Sequence, residues 1–567
     1  MNNRLIGLGD SAQNVWNLWW MRWALSHGNL APFYTNVLYY PEGVSLAYDT
    51  LAPFNGLLGI PLQTVLGMGL PTTFNTIALL SFVGTGLSTY LLVRSLTGSP
   101  TAAFAAGVVF TFCPFRMSRV SFGNLDVYST QFVPLTAWCL VKLSQTGAFR
   151  PQIEMHPSQT QRWRYGVGAA AALALTGWCS LELAFGTGLL AGLLCLFDLC
   201  SARQRQVGWK QWLVFGLLTC VFMSPLILPM IHHAPDFQAE ANQYLSSTQN
   251  SADLLGFFVP DSLTNPLVKR SLPPAMSHQI EQIYGMFFGN SAEKTVFVGY
   301  SVLIIVLISV WVARSEAVRR WLAIALTAFV LCLGPVLYVA GKPTLSPLPY
   351  TLFLHLPLLR AGRTPSRLAF ILMLALAVIA GYGLAAMERR WRRAYWGTLL
   401  ASALIFLEFL IIPLPLDKRV ASAPAYYHQL AQESQGAVLD VPIDLYGAQG
   451  PAADYLLYQT IHQKPIVGGY ISRTPRHVLE LFEHPFLNQL RARIYNDTEP
   501  YAFPPDLIQL GLGELRSINV QYIILHKQML SASDSHIVRT ALTTLLHDPD
   551  YEDEAILVWQ LDTSTSQ

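Results

Sequence analysis

Charge is what this chain has least of. Asp, Glu, Lys and Arg together make 12% of its 567 residues, against about 25% in ordinary soluble domains. So few charges cannot coat the surface of a soluble protein of this length. The net charge is only +2, so there is no broad basic field of the kind that attracts nucleic acid. Cysteine is also sparse. Its seven positions, Cys113, Cys139, Cys179, Cys195, Cys200, Cys220 and Cys332, all fall in apolar stretches, and none lies after Pro415. None has metal-ligand spacing, which removes a cysteine zinc site and a disulfide-stapled tail, and they read as small buried hydrophobes. No internal repeat is visible, and no signal-peptide pattern opens the chain.

What is abundant is long apolar sequence. Some ten stretches between Phe74 and Pro413 are long and apolar enough to span a bilayer, which takes about 20 residues with a range of 17–25. They fall at 73–93, 99–115, 126–143, 165–182, 184–201, 211–230, 295–313, 321–340, 367–387 and 395–413. Basic residues recur at every second loop: Arg94; Lys142, Arg150, Arg162 and Arg164; Arg203, Arg205 and Lys210; Arg314, Arg319 and Arg320; Arg389, Arg390, Arg392 and Arg393. Positive loops stay in the cytoplasm. The remaining loops, 231–294 and 342–366 included, and everything after Pro415 then face outward.

Three regions follow from this. Residues 1–72 form a first outer loop with juxtamembrane helices. The Trp-rich segment Ser11–His27 suits the headgroup region, and Phe54–Leu70 reads as a helix at the outer interface or dipping into it. With both outside, no apolar segment carries the N-terminus across, and a span lost to a late start site is the expected explanation. Residues 73–415 form the transmembrane helical domain. Residues 416–567 read as a small extracytoplasmic α/β domain, because charges become frequent and apolar runs shorten there. Val438–Val441, Pro465–Val467, Val520–Leu525 and Ala555–Leu561 have strand character, and His477–Gln489 and Ser531–His547 helical character. The fold class expected is therefore an α-helical polytopic membrane protein with a small C-terminal soluble α/β domain.

Polar residues on the outer side are the candidates for chemistry. Asp10, in Gly9-Asp10-Ser11, stands just before the Trp-rich helix. It is either a helix N-cap, with Asp-Ser-Ala-Gln resembling a capping box, or a carboxylate acting as general base or metal ligand. Glu42 and Asp49 lie in the same region. The loop Phe115–Asp126 carries Arg116, Arg119, Asn124 and Asp126. Its arginines oppose the charge rule, so they either snorkel and pair with Asp126 or form an anion site. Arg360, Arg363 and Arg367 crowd another outer loop, where guanidinium forks suit phosphate oxygens and a helix beginning near Pro365 adds its dipole; pairing with acidic headgroups is the alternative. Glu182 lies within an apolar pair of spans, either as an intramembrane carboxylate or at a solvated outer turn. His232, His233 and Asp236 match no known ligand code. Tyr458–Tyr470 is the densest polar and aromatic stretch of the tail, for a site or for structure.

Several of these residues carry a family resemblance. Gly9-Asp10 before a Trp-rich helix, Tyr40-Pro41-Glu42-Gly43, Pro53, Leu91–Gly98, Gln131–Leu135, Arg363-Thr-Pro-Ser-Arg367 and Gln459–Tyr470 resemble polytopic GT-C glycosyltransferases of the mannosyltransferase-like group. The resemblance implies transfer of a sugar from a polyprenyl-phosphate donor to an envelope glycan, lipid or protein, by a hexosyltransferase-type enzyme in the bacterial plasma membrane. It implies Asp10 as the catalytic carboxylate, and the chemistry of such a transfer makes Glu42, Arg116, Arg119, Arg363 and Arg367 the candidate substrate-binding residues. A divalent cation is the one cofactor it leaves open, and Asp10 lacks the acidic neighbour that would hold one. The competing readings are a transporter or lipid-carrier flippase, for which inverted repeats are missing, and a non-catalytic relative.

Overall fold

The computed structural model describes residues 4–144, 159–200, 209–233, 243–261, 270–289, 291–355, 364–391, 393–419, 423–433, 436–444, 447, 450–492 and 500–561. The chain forms two compact units. One joins Met1–Asn75, Leu228–Ala239 and Leu416–Gln567; the other joins Thr76–Ile227 and Glu240–Pro415.

The second unit is built of helices. Its centre is the helix Ala369–Arg390, in which every residue from Ala369 to Ala385 is buried. A helix that is apolar all round belongs inside other helices. This one packs against Pro100–Phe112, Tyr300–Ala313 and Glu316–Cys332. Its small residues let those neighbours come close: a Cβ on Gly383 would stand 1.8 Å from Ser309 Oγ.

Each of the ten apolar stretches holds a helix: Leu70–Thr97, Pro100–Phe112, Phe132–Leu143, Gln159–Cys179, Leu181–Cys200, Trp209–His232, Tyr300–Ala313, Glu316–Cys332, Ala369–Arg390 and Ala394–Phe409. Among the described residues, four helices are long and apolar enough to cross a membrane by length and composition: Leu70–Thr97, Leu181–Cys200, Lys210–His232 and Pro365–Arg390. A fifth is the pair Pro100–Phe112 and Pro114–Ser121, bent by 41°. Pro114 lacks the N–H that would continue the ladder, so the bend falls there. The stretch read as 126–143 instead divides into Leu125–Tyr128 and a helix that starts at Phe132.

The first unit contains a four-stranded sheet in the order Ala437–Val441, Val520–His526, Ile556–Gln560, Tyr551–Glu552. The first two strands are parallel and the other pairs antiparallel. Pro465–Val467 does not make a full strand; Ile466 forms a single bridge to Val438. The stretch His477–Gln489 breaks into Arg476–Glu480, a 3-10 turn Leu481–Glu483 and Pro485–Gln489, since Pro485 cannot donate back to the preceding turn. Ser531 caps Ala532–Leu545 by accepting from Asp534 N.

The helix Ser11–Ser26 belongs to the same core. Trp16, Trp19 and Trp20 are 1–2% exposed and pack with residues of the tail. Trp16 Nε1 donates to Gln459 Oε1 at 2.7 Å, and Trp20 Nε1 to the Pro32 carbonyl at 3.0 Å. These rings therefore fill a protein interior rather than a headgroup layer. A buried Trp of 150–250 Å² contributes on the order of 4–6 kcal/mol at most. Leu5–Ile6 pairs antiparallel with Leu416–Asp417 and closes the unit.

Candidate functional site

Among the described residues, the densest ionic cluster lies in the second unit, around a carboxylate that was not among the sequence candidates. Glu293 sits in the short helix Ser291–Lys294, which packs against the 3-10 turn Pro365–Leu368. Its side chain is 3% exposed. Arg119 Nη1 and Nη2 donate to Glu293 Oε1 and Oε2 at 2.9 and 2.7 Å. Arg367 Nε and Nη2 donate to Oε1 at 3.0 and 2.9 Å. Ser366 Oγ donates to Oε2 at 2.7 Å. Five donors fill a group with about four lone-pair positions.

Burial pushes the Glu293 carboxyl up, but the Arg119 and Arg367 guanidiniums outweigh that and hold it down at about 2. It is a permanent, saturated anion. It cannot take a proton near neutral pH, so its chemistry is to hold two arginines together.

The two arginines are unlike. The Arg119 side chain is 1% exposed, and its Nε has no hydrogen-bond partner among the described residues. Arg367 is 21% exposed, and its Nη1 pairs with Glu182 Oε2. Glu182 lies in the first turn of Leu181–Cys200 and is 28% exposed. The Asp126 carboxylate adds a further negative charge that acts on Arg367.

Of the expected site residues, Arg119 and Arg367 are thus brought together, although they stand 248 positions apart in the sequence. Arg116 is not with them. Its Nε, Nη1 and Nη2 donate to Tyr128 O, Thr111 O and Ser81 Oγ at 3.0, 2.8 and 2.9 Å, and it lies 4.0 Å over the Phe82 ring. Those bonds tie neighbouring helices and leave Arg116 a structural brace. Arg360 and Arg363 lie outside the described residues, as does Asp236.

Asp10 and Glu42 belong to the first unit. Asp10 occupies the N-cap position of Ser11–Ser26, but its side chain makes no capping bond. Gln13, expected to close a capping box, donates instead to Asp49 Oδ1 at 2.8 Å. The backbone around Asp10 is fixed from both sides. Gly9 has φ +68°, a left-handed conformation that glycine adopts freely. The Gly9 carbonyl accepts from Arg419 Nη2 at 2.7 Å, and Ser11 Oγ donates to Asp417 Oδ2 at 3.0 Å. Asp454 stands 3.9 Å from Arg419 Nε, and burial raises its carboxyl to about 6. Glu42 is exposed, and its carbonyl accepts from Tyr34 OH at 2.6 Å. Asp49 is half-buried, desolvation pushes its carboxyl up, and Ser472 N donates to it at 2.9 Å.

The polar stretch of the tail is structural at its centre. Gln459 is fully buried; its Nε2 donates to Val37 O and Lys464 O at 2.6 and 3.0 Å, while its Oε1 receives Trp16. Among the described residues, no three His, Cys, Asp or Glu side chains are grouped to hold a metal ion.

Several solved proteins align with most of the chain. Arabinofuranosyltransferase AftD from Mycobacteria aligns over 93% of this chain and 34% of its own length, at 15% identity and a TM-score of 0.51. This chain therefore spans about a third of that transferase. The Archaeoglobus fulgidus oligosaccharyltransferase aligns over 93% of this chain and 66% of its own, at 12% identity and a TM-score of 0.45. ArnT from Cupriavidus metallidurans, solved bound to undecaprenyl phosphate, aligns over 98% and 94%, at 14% identity and a TM-score of 0.41. No curated protein matches the chain. The fold is similar to that of the arabinofuranosyltransferase AftD. Residues 2–408 match the family model described as Domain of unknown function (DUF6311), and the chain belongs to that family.

Proposed function

We propose that this protein is a membrane glycosyltransferase. It moves a sugar, of hexose type, from a polyprenyl-phosphate donor to an envelope acceptor on the extracytoplasmic side. The observation that carries this reading is the Arg119–Glu293–Arg367 cluster, two guanidiniums locked on one buried carboxylate with Arg367 partly exposed. The likeness of the fold to that of an arabinofuranosyltransferase supports it.

The chemistry needs three things. The acceptor hydroxyl oxygen bonds to the anomeric carbon as the bond from that carbon to the phosphate oxygen breaks. The hydroxyl proton goes to a base, and the electron pair of the broken bond stays on the polyprenyl phosphate. Charge therefore builds on that phosphate, where fixed donors are most effective. Arg367, steadied by Glu293, supplies such donors. Arg119 supports it through the same carboxylate and adds positive charge. Asp10, on a backbone fixed by Arg419 and Asp417, takes the proton. Glu293 is excluded as base by its low pKa and its five donors.

The test is radiolabelled sugar transfer from polyprenyl-phosphate donors in membranes holding wild type, Asp10→Asn or Arg367→Lys. Each variant is expected to lose at least a hundredfold in rate, within the range of losses for a missing base or oxyanion donor. Full activity in Asp10→Asn removes the base, and full activity in Arg367→Lys removes the phosphate role.

A further inference from the structure

Arg367 is held unequally by its two carboxylates. Its Nε and Nη2 edge is locked on Glu293, which is 3% exposed and takes five donors. Its Nη1 is held by Glu182, whose side chain is 28% exposed.

We propose that Glu182 is a placeholder for a phosphate group. It occupies the Nη1 position of Arg367 in the resting protein and yields it to a phosphate oxygen on binding. The identity of the natural ligand, a lipid-linked phosphate, rests on the glycosyl-transfer reading above; the exchange of carboxylate for phosphate does not.

Three features support the exchange. The first is charge. Arg119, Arg367 and Glu293 carry a formal +1 together, and Glu182 brings this hydrogen-bonded group to zero, with the Asp126 charge acting on Arg367 in both states. A buried ionic group is costly unless its charges are matched, and a phosphate monoanion in place of Glu182 keeps the match. The second is that Glu182 has somewhere to go. It lies in the first turn of a helix, where free N–H groups and the helix dipole favour a carboxylate. Release from Arg367 therefore leaves it stabilised and partly in solvent. The third is an unused donor. Arg119 Nε is buried in the same cluster and finds no acceptor among the described residues, so among them the cluster has more donor capacity than the acceptors fill. A guanidinium N–H released by Glu182 donates as readily to a phosphate oxygen as to a carboxylate. Glu293 is too deep and too saturated to be the group displaced.

The exchange is measured by calorimetric titration of inorganic phosphate, and separately of farnesyl phosphate, into the full-length protein in nanodiscs of zwitterionic lipid. Glu182→Gln removes the competing charge and keeps the shape. It should bind both probes at least tenfold more tightly than wild type, and Arg367→Lys should abolish the gain when combined with it. Glu182→Asp, shorter by one methylene, should give an intermediate gain and serves if the glutamine variant fails to fold. A greater gain for farnesyl phosphate assigns the site to a lipid-linked phosphate; an equal gain assigns it to the bare anion. Unchanged or weaker phosphate binding in folded Glu182→Gln and Glu182→Asp overturns the placeholder role. A tenfold gain in a protein that transfers no sugar leaves the anion site standing and removes the transferase reading alone.

Discussion

Replacing Glu293 by glutamine is the most informative single change, because its cost can be worked out donor by donor. The amide keeps the shape of the carboxylate but has one acceptor oxygen and one NH₂ group. If the oxygen takes the Oε1 position, it faces Arg119 Nη1 and Arg367 Nε and Nη2, and the NH₂ points at Arg119 Nη2 and Ser366 Oγ. If it takes the Oε2 position, the NH₂ meets three guanidinium donors. Neither orientation avoids donor against donor, and Ser366 can rescue only its own contact by turning its hydroxyl. Two arginines, one of them 1% exposed, would also share a site with no central anion. Breaking a buried pair by removing one partner costs about 3–5 kcal/mol. At about 2 °C per kcal/mol for a large domain, the apparent melting temperature should fall on the order of 5–10 °C. Differential scanning fluorimetry in detergent reads this directly. Adding Arg119→Gln should return part of the loss, because the two changes share one interaction. A Glu293→Gln protein that melts with wild type would refute the idea that the carboxylate organises the cluster.

Four further outcomes follow from particular contacts. Glu293 titrates at about 2 against an ordinary 4.5, so its stabilisation is present above pH 4.5 and is lost as pH falls toward 2. That drop corresponds to roughly 3 kcal/mol, and the melting gap between wild type and Glu293→Gln should close between pH 5 and pH 2. Asp454 has the opposite sign. Burial raises it to about 6 from 3.8, so its ionisation above pH 6 costs stability, and Asp454→Asn should melt higher than wild type at pH 8 but with it at pH 4. Gly9→Ala should lose about 1–2 kcal/mol, since φ +68° strains any residue with a Cβ, and a melting curve that does not move contradicts the left-handed turn. Gln459→Leu strands the Trp16 N–H and takes one donor each from the Val37 and Lys464 carbonyls and should cost about 1–3 kcal/mol; limited proteolysis of the first 75 residues would report the loosening.

Much of the fold was legible because apolar length is a strong signal. Ten stretches were marked and ten helices lie there, although only some have the length of a full span by themselves. The site was legible in part. Arg119 and Arg367 stood out because the charge rule assigns their loops to the outer side, where arginine needs a partner. Glu293 was missed because Ser-Ala-Glu-Lys, with its acid beside a lysine, looks like any solvated loop. The clue was indirect: two outer arginines demand a buried anion, and loop 231–294 was a place to seek it. Arg116 was equally prominent in the sequence, yet its acceptors are backbone carbonyls and one serine, which no pattern of residue types announces. The Trp-rich helix was misplaced for a related reason. Tryptophan suits both a headgroup layer and a protein core, and only the position of Gln459, 443 residues away from Trp16, decides between them.

The pairing of Leu5–Ile6 with Leu416–Asp417 has a consequence for biogenesis. The first unit draws its core from both sides of the second, so its folding must wait for a strand made some 400 residues later. At about 5–20 residues per second of synthesis, that wait is on the order of 20–80 s. For that time a helix carrying four tryptophans has none of its eventual partners from the tail, while the helices between can already insert and pack. The order of assembly is therefore written into the topology: the middle of the chain matures first, and its two ends find each other last.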